Sequence, residues 1–366
     1  MLKQIFMAAA LATAAIPGYA QLTWTTSTQA MPVPLQMHGA AVLNGYLYAI
    51  AGNSNTTTPP YGAAGDSPYM YYAPITSPGV TGAWTTCTAV LPNGVTPTEP
   101  DFAYINRHVS SYNGRIYVTG GNTNGPDTER DSILILTPEA NGDILTTGAV
   151  IQPTLGDSIA RFEHTSIIDP ATGKLYVLGG GPSDIAQVAQ IDPVTGAVGP
   201  FSTFGTLAYT IYEAPAVILN NRLYLIGGLS GSAKTTTQYA DLSSTAPVAF
   251  STATGLLPEA RFDGSAQVIG GNIYLFGGAL AGNASIRKST FKATVDSVTG
   301  DLTAWTADTD IPVGDAKPGD RRETSATDGT AIYIPGGRID ATTEPVLSDV
   351  VYIARDLSRV EDFLLY

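Results

Sequence analysis

The chain has 366 residues, of which 18 are Lys or Arg and 31 are Asp or Glu, giving a formal charge of −13 with only 13% charged residues. Such an acidic chain lacks the clustered cations that neutralise phosphates, which excludes nucleic acid and anionic membrane as partners. Its single cysteine, Cys87, excludes an internal disulfide framework, and an apolar content of 44% excludes a disordered chain.

The N-terminal segment carries Lys3, an apolar run over 5–16, Pro17 and the small-residue pattern Gly18-Tyr19-Ala20. This pattern predicts a secretory signal at 1–20, cleaved after Ala20, and a secreted or periplasmic mature chain over 21–366. No later stretch approaches the roughly 20 apolar residues of a membrane span. Six segments then repeat a tyrosine, two further residues and a small pair: 45–52, 114–121, 173–180, 221–228, 271–278 and 330–337. Their tyrosines are Tyr48, Tyr117, Tyr176, Tyr224, Tyr274 and Tyr333. The spacing is that of a repeat of about 50 residues, the length of one four-stranded propeller blade.

A second apolar run precedes each tyrosine segment, as in 38–45, 107–114, 164–173 and 265–271, and the two are joined by Asn-Gly, Asn-Asn, Gly-Gly or Asp-Gly pairs. Such pairs accept positive φ and predict tight hairpins between strands one and two. Third strands are predicted at 69–75, 132–138, 186–192, 237–243, 289–295 and 349–355. Fourth strands are predicted at 83–92 and 304–312, more weakly near Phe201 and Phe250, and at 144–153 in the second repeat. The sixth repeat has no fourth strand after 355, but 22–32 repeats the pattern around Trp84 and Trp305. The expectation is therefore an all-β, single-domain, six-bladed β-propeller over 21–366, closed by an N-terminal strand that joins the last blade and leaves no open edge. Phe363, Leu364, Leu365 and Tyr366 make the C-terminal tail, 356–366, a segment expected to dock on the disc.

The glycine pairs, the hydrophobics before them and the spaced Tyr and Trp residues resemble the kelch repeat over residues 22–355. The resemblance implies a propeller whose first strands line a central channel and whose fourth strands lie outermost. Two departures, Ala51 in place of the first glycine and Pro335 in strand two, are expected to disturb blades one and six. Among kelch-like proteins, galactose oxidases need a tyrosine-linked cysteine near the axis, whereas Cys87 follows Trp84 on an outer strand and reads as a packing residue. The chain is loosely similar to the bacterial periplasmic sialic acid mutarotases, which combine a leader with six such blades.

Aligning the repeats gathers the scarce charged residues where first strands begin, around one channel mouth. Arg107 falls opposite His38, with His108 beside it. Glu163 and His164 open blade three, Glu213 blade four, Glu259 and Arg261 blade five, and Arg322 and Glu323 blade six. The candidate ligand-binding set is His38, Arg107, His108, Glu163, Glu213, Arg261 and Arg322. Phe102 and Tyr104, on the approach 93–106, could stack on a sugar ring. The candidate acid and base pairs are Glu163 with His164, Glu259 with Arg261, and Glu323 with Arg322. Three histidines at one rim could offer a metal shell, but no local ligand spacing accompanies them, so neither metal nor cofactor is predicted. The Pro-, Gly- and Thr-rich loop 53–68 is a variable surface, and the tripeptides at Asn55 and Asn283 match the glycosylation pattern at a frequency chance explains. The set is expected to serve a non-catalytic protein- or glycan-binding module. The alternatives are a carbohydrate mutarotase or epimerase and a structural envelope or matrix component. Ligand identity and oligomeric state are not legible.

Overall fold

The computed structural model describes residues 21–54, 67–91, 109–120, 132–153, 163–181, 183–280, 286–296, 298–313, 324–339 and 346–356. The expected leader, the loop 55–66, both glycosylation tripeptides and the tail from 357 onward lie outside them. The chain is a six-bladed all-β propeller. Blade one consists of Gly39–Leu43, Tyr46–Ile50, Tyr69–Ser77 and Thr85–Val90, and blade two of Val109–Tyr112, Arg115–Thr119, Ser132–Leu136 and Ala149–Pro153. Blade three consists of Thr165–Asp169, Lys174–Leu178, Ile185–Gln190 and Ser202–Thr206, and blade four of Ala216–Leu219, Arg222–Ile226, Thr237–Asp241 and Ser251–Thr252. Blade five runs from Ser265–Ile269 through Asn272–Phe276 and Thr290–Val295 to Leu302–Ala307. In blade six, Ala326–Thr327, Ala331–Pro335 and Val351–Asp356 are followed across the sheet by Leu22–Thr26, with Trp24 opposite Ala354.

The second strands are buried on both faces because each blade is packed between two others. Leu47, Tyr48, Ala49 and Ile50 are inaccessible, and so are Ile332, Tyr333 and Ile334. Pro335 pairs with Val351 at the end of its strand, so it terminates that strand and does not interrupt it. Proline is tolerated there because the next bond to the third strand is made by its neighbour, the Gly336 N–H donating to the Val350 carbonyl at 2.9 Å. Between blades four and five, Tyr224 and Ile226 meet Ile273, Leu275, Phe291 and Trp305 in one apolar cluster.

Two outer strands differ from expectation. In blade two a single 3-10 turn, Thr146–Gly148, occupies the start of the expected strand, which begins only at Ala149. In blade four the fourth strand is cut to two residues, because the preceding Val248–Ala249 pairs in parallel with Ser202–Thr206 of blade three. That pairing covers blade three's outer edge.

The glycine pairs hold neighbouring blades together. Both members have left-handed backbones, for instance Gly227 at φ 60° and Gly228 at φ 88°. The Gly228 N–H donates to the Arg261 carbonyl of the next blade at 2.7 Å, and Gly180 and Gly337 donate likewise to Ile211 and Leu35. A Cβ on Gly227 would stand 2.5 Å from that same Arg261 oxygen. Strands one and two are thus stitched to the next blade at the face where the channel opens.

Candidate functional site

The channel mouth is built from the residues that precede each first strand. Strand register makes Met37, Glu163, Glu213 and Asp263 equivalent, since Ala41, Ile167, Val217 and Gln267 lie opposite the repeat tyrosines. All four have left-handed backbones, with φ between 55° and 59°. The conformation costs a residue with a Cβ roughly 1–2 kcal/mol, so it persists only where surrounding structure imposes it. Here the imposing structure is a run of hydrogen bonds around the rim. The Glu213 N–H donates to the Glu163 carbonyl at 3.0 Å, and the Asp263 N–H donates to the Glu213 carbonyl at 3.0 Å. Three carboxylates from three consecutive blades therefore sit on one ring. Glu163 is half-buried, while Glu213 and Asp263 are buried and engaged.

This register corrects one sequence alignment. The residue of blade five equivalent to Glu213 is Asp263, and Arg261 and Glu259 lie two and four positions before it. Arg261 is only 1% exposed. Its guanidinium donates to Glu259 Oε2 at 2.7 Å, to the Ala260 carbonyl at 3.1 Å and to the Ser289 hydroxyl, and it lies 5.0 Å from the centroid of the Phe291 ring. The half-exposed Arg287 approaches the other oxygen of Glu259 at 3.1 Å. Burial favours the protonated form of Glu259, but its bonds to Arg261 and then Arg287 outweigh that and hold the carboxyl below its usual range. Glu259 is thus held between two guanidiniums. Lys234 is the neighbouring cation: its backbone bridges to Arg261 and its ammonium lies 5.7 Å from the centre of the Tyr209 ring.

His38 and His164 occupy the next equivalent position inward, and both are inaccessible. His164 Nε2 and the Thr119 hydroxyl are 3.3 Å apart. Neither His38 nitrogen makes a hydrogen bond of good geometry. Burial lowers its pKa to about 4, and the nearby Pro335 carbonyl offsets only part of that. His38 is therefore a neutral packing residue at neutral pH. Its Cβ would lie 2.5 Å from any Cβ placed on Gly52. Cys87 is buried on the outer strand Thr85–Val90, and burial raises its thiol to about 12, which leaves it unreactive. Phe102, Tyr104, Arg107, His108, Arg322 and Glu323 lie outside the described residues.

Below the rim the six first strands converge on the axis, and the position before each tyrosine's partner is small in five of the six blades: Ala40, Ser166, Ala216, Ala266 and Ser325, with Val109 in blade two. They enclose a channel of about 340 Å³ without a charged side chain among its described lining residues. Many of its hydroxyls are bonded between blades, as Thr165 is to the Ala214 carbonyl at 2.5 Å and Ser265 to Ser325 at 2.5 Å. Acid and base chemistry thus belongs to the mouth, where the charged groups are. Among the described residues no three His, Cys, Asp or Glu side chains converge as a metal shell.

Asp263, Arg287, Lys234 and Tyr209 are the residues of this region that the sequence did not single out. Asp263 was recoverable by counting four residues back from Gln267, the partner of Tyr274. Arg287 had no such signal, because it follows the glycine pair at no repeated distance.

No protein-family model matches the chain, and no curated protein matches it. Among solved structures, one titled "Structure of YjhT" superposes with a TM-score of 0.61 at 16% identity, covering 88% of this chain and 95% of that one. At that identity the likeness is one of fold.

Proposed function

We propose that the chain is an exported propeller of the kelch type that binds an acidic ligand, a glycan or protein segment bearing carboxylates, at the channel mouth over blades four and five. It performs no chemistry there. The observation that carries this reading is Glu259, held ionised by Arg261 and Arg287 together. A carboxylate clamped in that way cannot exchange protons near neutral pH, as a general acid or base must. The cluster instead presents the half-exposed guanidinium of Arg287 at the mouth, on a chain with only 18 basic residues, and a guanidinium fork is the chemistry of carboxylate capture.

An array of acidic and neutral glycans, with acidic peptides as a second panel, tests this on the mature protein. Acidic ligands should bind, and more weakly as salt is raised. Arg287→Ala should cut affinity about tenfold, the loss of one charge-assisted contact, with little change in Tm because the side chain is half-exposed. Binding that survives both this change and the double replacement of Arg107 and Arg322 by alanine would defeat the rim as a binding surface.

A mutarotase is the second reading, favoured by Glu163, a half-buried carboxylate on the mouth ring directly before the buried His164. It requires accelerated anomer exchange of an acidic sugar by NMR, lost in Glu163→Gln. A panel of sugars showing no acceleration leaves the binding module standing.

A further inference from the structure

Below the mouth the channel wall is not uniform. At the level of the tyrosine partners, each interface between blades is closed by that partner from one blade and the residue one position nearer the mouth from the next. Ala41 with Val109 and Ala326 with Ala40 belong to the apolar cores on either side of blade one. Across the axis, Ile167 with Ala216 and Val217 with Ala266 belong to the cores on either side of blade four. The two remaining interfaces carry polar pairs: Ser110 with Ser166 between blades two and three, and Gln267 with Ser325 between blades five and six. All four polar residues line the channel. In a ring of six blades these two interfaces stand opposite each other.

The two polar pairs are not equally satisfied. Gln267 Nε2 donates to the Ser325 carbonyl at 2.8 Å and to its hydroxyl at 3.0 Å, and the Ser265 and Ser325 hydroxyls share a third bond at 2.5 Å. Gln267 Oε1 remains as an acceptor on that wall. On the opposite wall Ser110 stands where Gln267 does, but its shorter side chain does not reach Ser166. The Ser166 residue is only 5% exposed, and its hydroxyl has no hydrogen-bond partner. An unpaired buried hydroxyl is costly, so one kept in a channel wall points to a partner that enters by the channel.

We propose that the channel is a second binding site, separate from the charged rim, and that it takes an uncharged six-membered polyol ring. Such a ring carries hydroxyls around its edge and C–H groups on its two faces. Its edge bonds Ser166 and Ser110 on one side and Gln267 Oε1 on the other, and its faces lie against the apolar pairs beside blades one and four. The volume of about 340 Å³ falls at the lower end of the range of small-ligand pockets, which suits one ring with a few waters. With no charged side chain among the described lining residues, an ion would enter without a counter-charge, so the acidic ligands of the rim are kept out of the channel. A linear polyol has the hydroxyls but not the flat faces, and the apolar walls select against it. An inositol and a neutral pyranose share the required chemistry. The inference is independent of the proposed rim function, because it uses none of the rim's charged residues.

Calorimetric titration of the full chain from residue 21 with myo-inositol, methyl β-glucopyranoside and glycerol tests this. At least one ring should bind saturably and raise the Tm as it does so, with no dependence on salt because no charges are paired. The ring that binds more tightly identifies the source of the ligand. Ser166→Ala should cut its affinity about tenfold, the loss of one buried hydrogen bond. The same change should leave the Tm of the unliganded protein equal or higher, since it removes an unpaired hydroxyl. Gln267→Leu should cut affinity similarly but at a lower Tm, because its bonds to Ser325 go as well. Arg287→Ala, which weakens the rim, should leave ring binding unchanged. No saturable binding by either ring, glycerol binding as tightly as the rings, or undiminished binding in Ser166→Ala overturns the proposal. Binding lost in Arg287→Ala but kept in Ser166→Ala would place the ring at the rim and overturn it too.

Discussion

Gly228→Ala should destabilise the propeller by about 3 kcal/mol or more, the range of a left-handed glycine replaced where there is also no room. Its φ is 88°, and the added Cβ would stand 2.6 Å from Ala214 Cβ, 2.7 Å from Ile211 Cγ1 and 2.9 Å from the Tyr212 carbonyl. None of these can yield alone. Ala214 and Tyr212 flank Glu213 on the mouth ring, and the Gly228 N–H holds blade five through Arg261. The strain therefore reaches the proposed binding surface, and affinity should fall with stability. Ala51 supplies the opposite control. It has φ 56° where the five other blades have glycine, so Ala51→Gly should stabilise by about 0.5–1 kcal/mol, relief of left-handed strain less the added freedom of the unfolded chain. Urea unfolding measures both, and a Gly228→Ala protein within 1 kcal/mol of wild type would show that the glycine pair is not what binds the blades.

The repeat made the fold legible because its signal is local and redundant. Each blade repeats a tight hairpin, a doubly buried second strand and a glycine pair, so Ala51 and Pro335 could depart from the pattern without hiding it. The closing strand was legible for a similar reason: Trp24 stands in the sequence context of Trp305 and occupies the equivalent rung. The mouth was less legible. Alignment of the repeats placed Glu259 and Arg261 level with Glu213, and only the ladder opposite Tyr274 shows Asp263 there. The contact between Glu259 and Arg287 spans a whole hairpin and leaves no trace in spacing. Burial depth was equally hidden. His38 and Arg261 read as rim ligands from their positions, yet His38 is closed over by Gly52 of its own blade and Arg261 by Glu259, Ser289 and Phe291, and that covering depends on how the strands and blades pack.

His38 makes that covering measurable. Between pH 7 and pH 4 the wild-type protein should lose up to about 3 kcal/mol of stability that His38→Asn retains, the free energy of moving one imidazole pKa from 6.5 to about 4. Because the folded pKa lies below the unfolded one, the unfolded chain takes up the proton first. The neutral ring's contribution is complete above pH 6.5 and is lost as pH falls through about 4. The physical cause is desolvation: a protonated imidazole would be sealed where neither nitrogen has a well-placed partner. The acidic chain also titrates in this window, so neither curve alone isolates the histidine. The difference between wild type and variant does, since the carboxylates are common to both. Asparagine is smaller and leaves a cavity, which lowers the variant's stability by a constant amount and does not bend the difference with pH. A difference that stays flat from pH 7 to pH 4 would mean that His38 reaches solvent or a carboxylate, and then the mouth of blade one is open where Gly52 and Pro335 now close it.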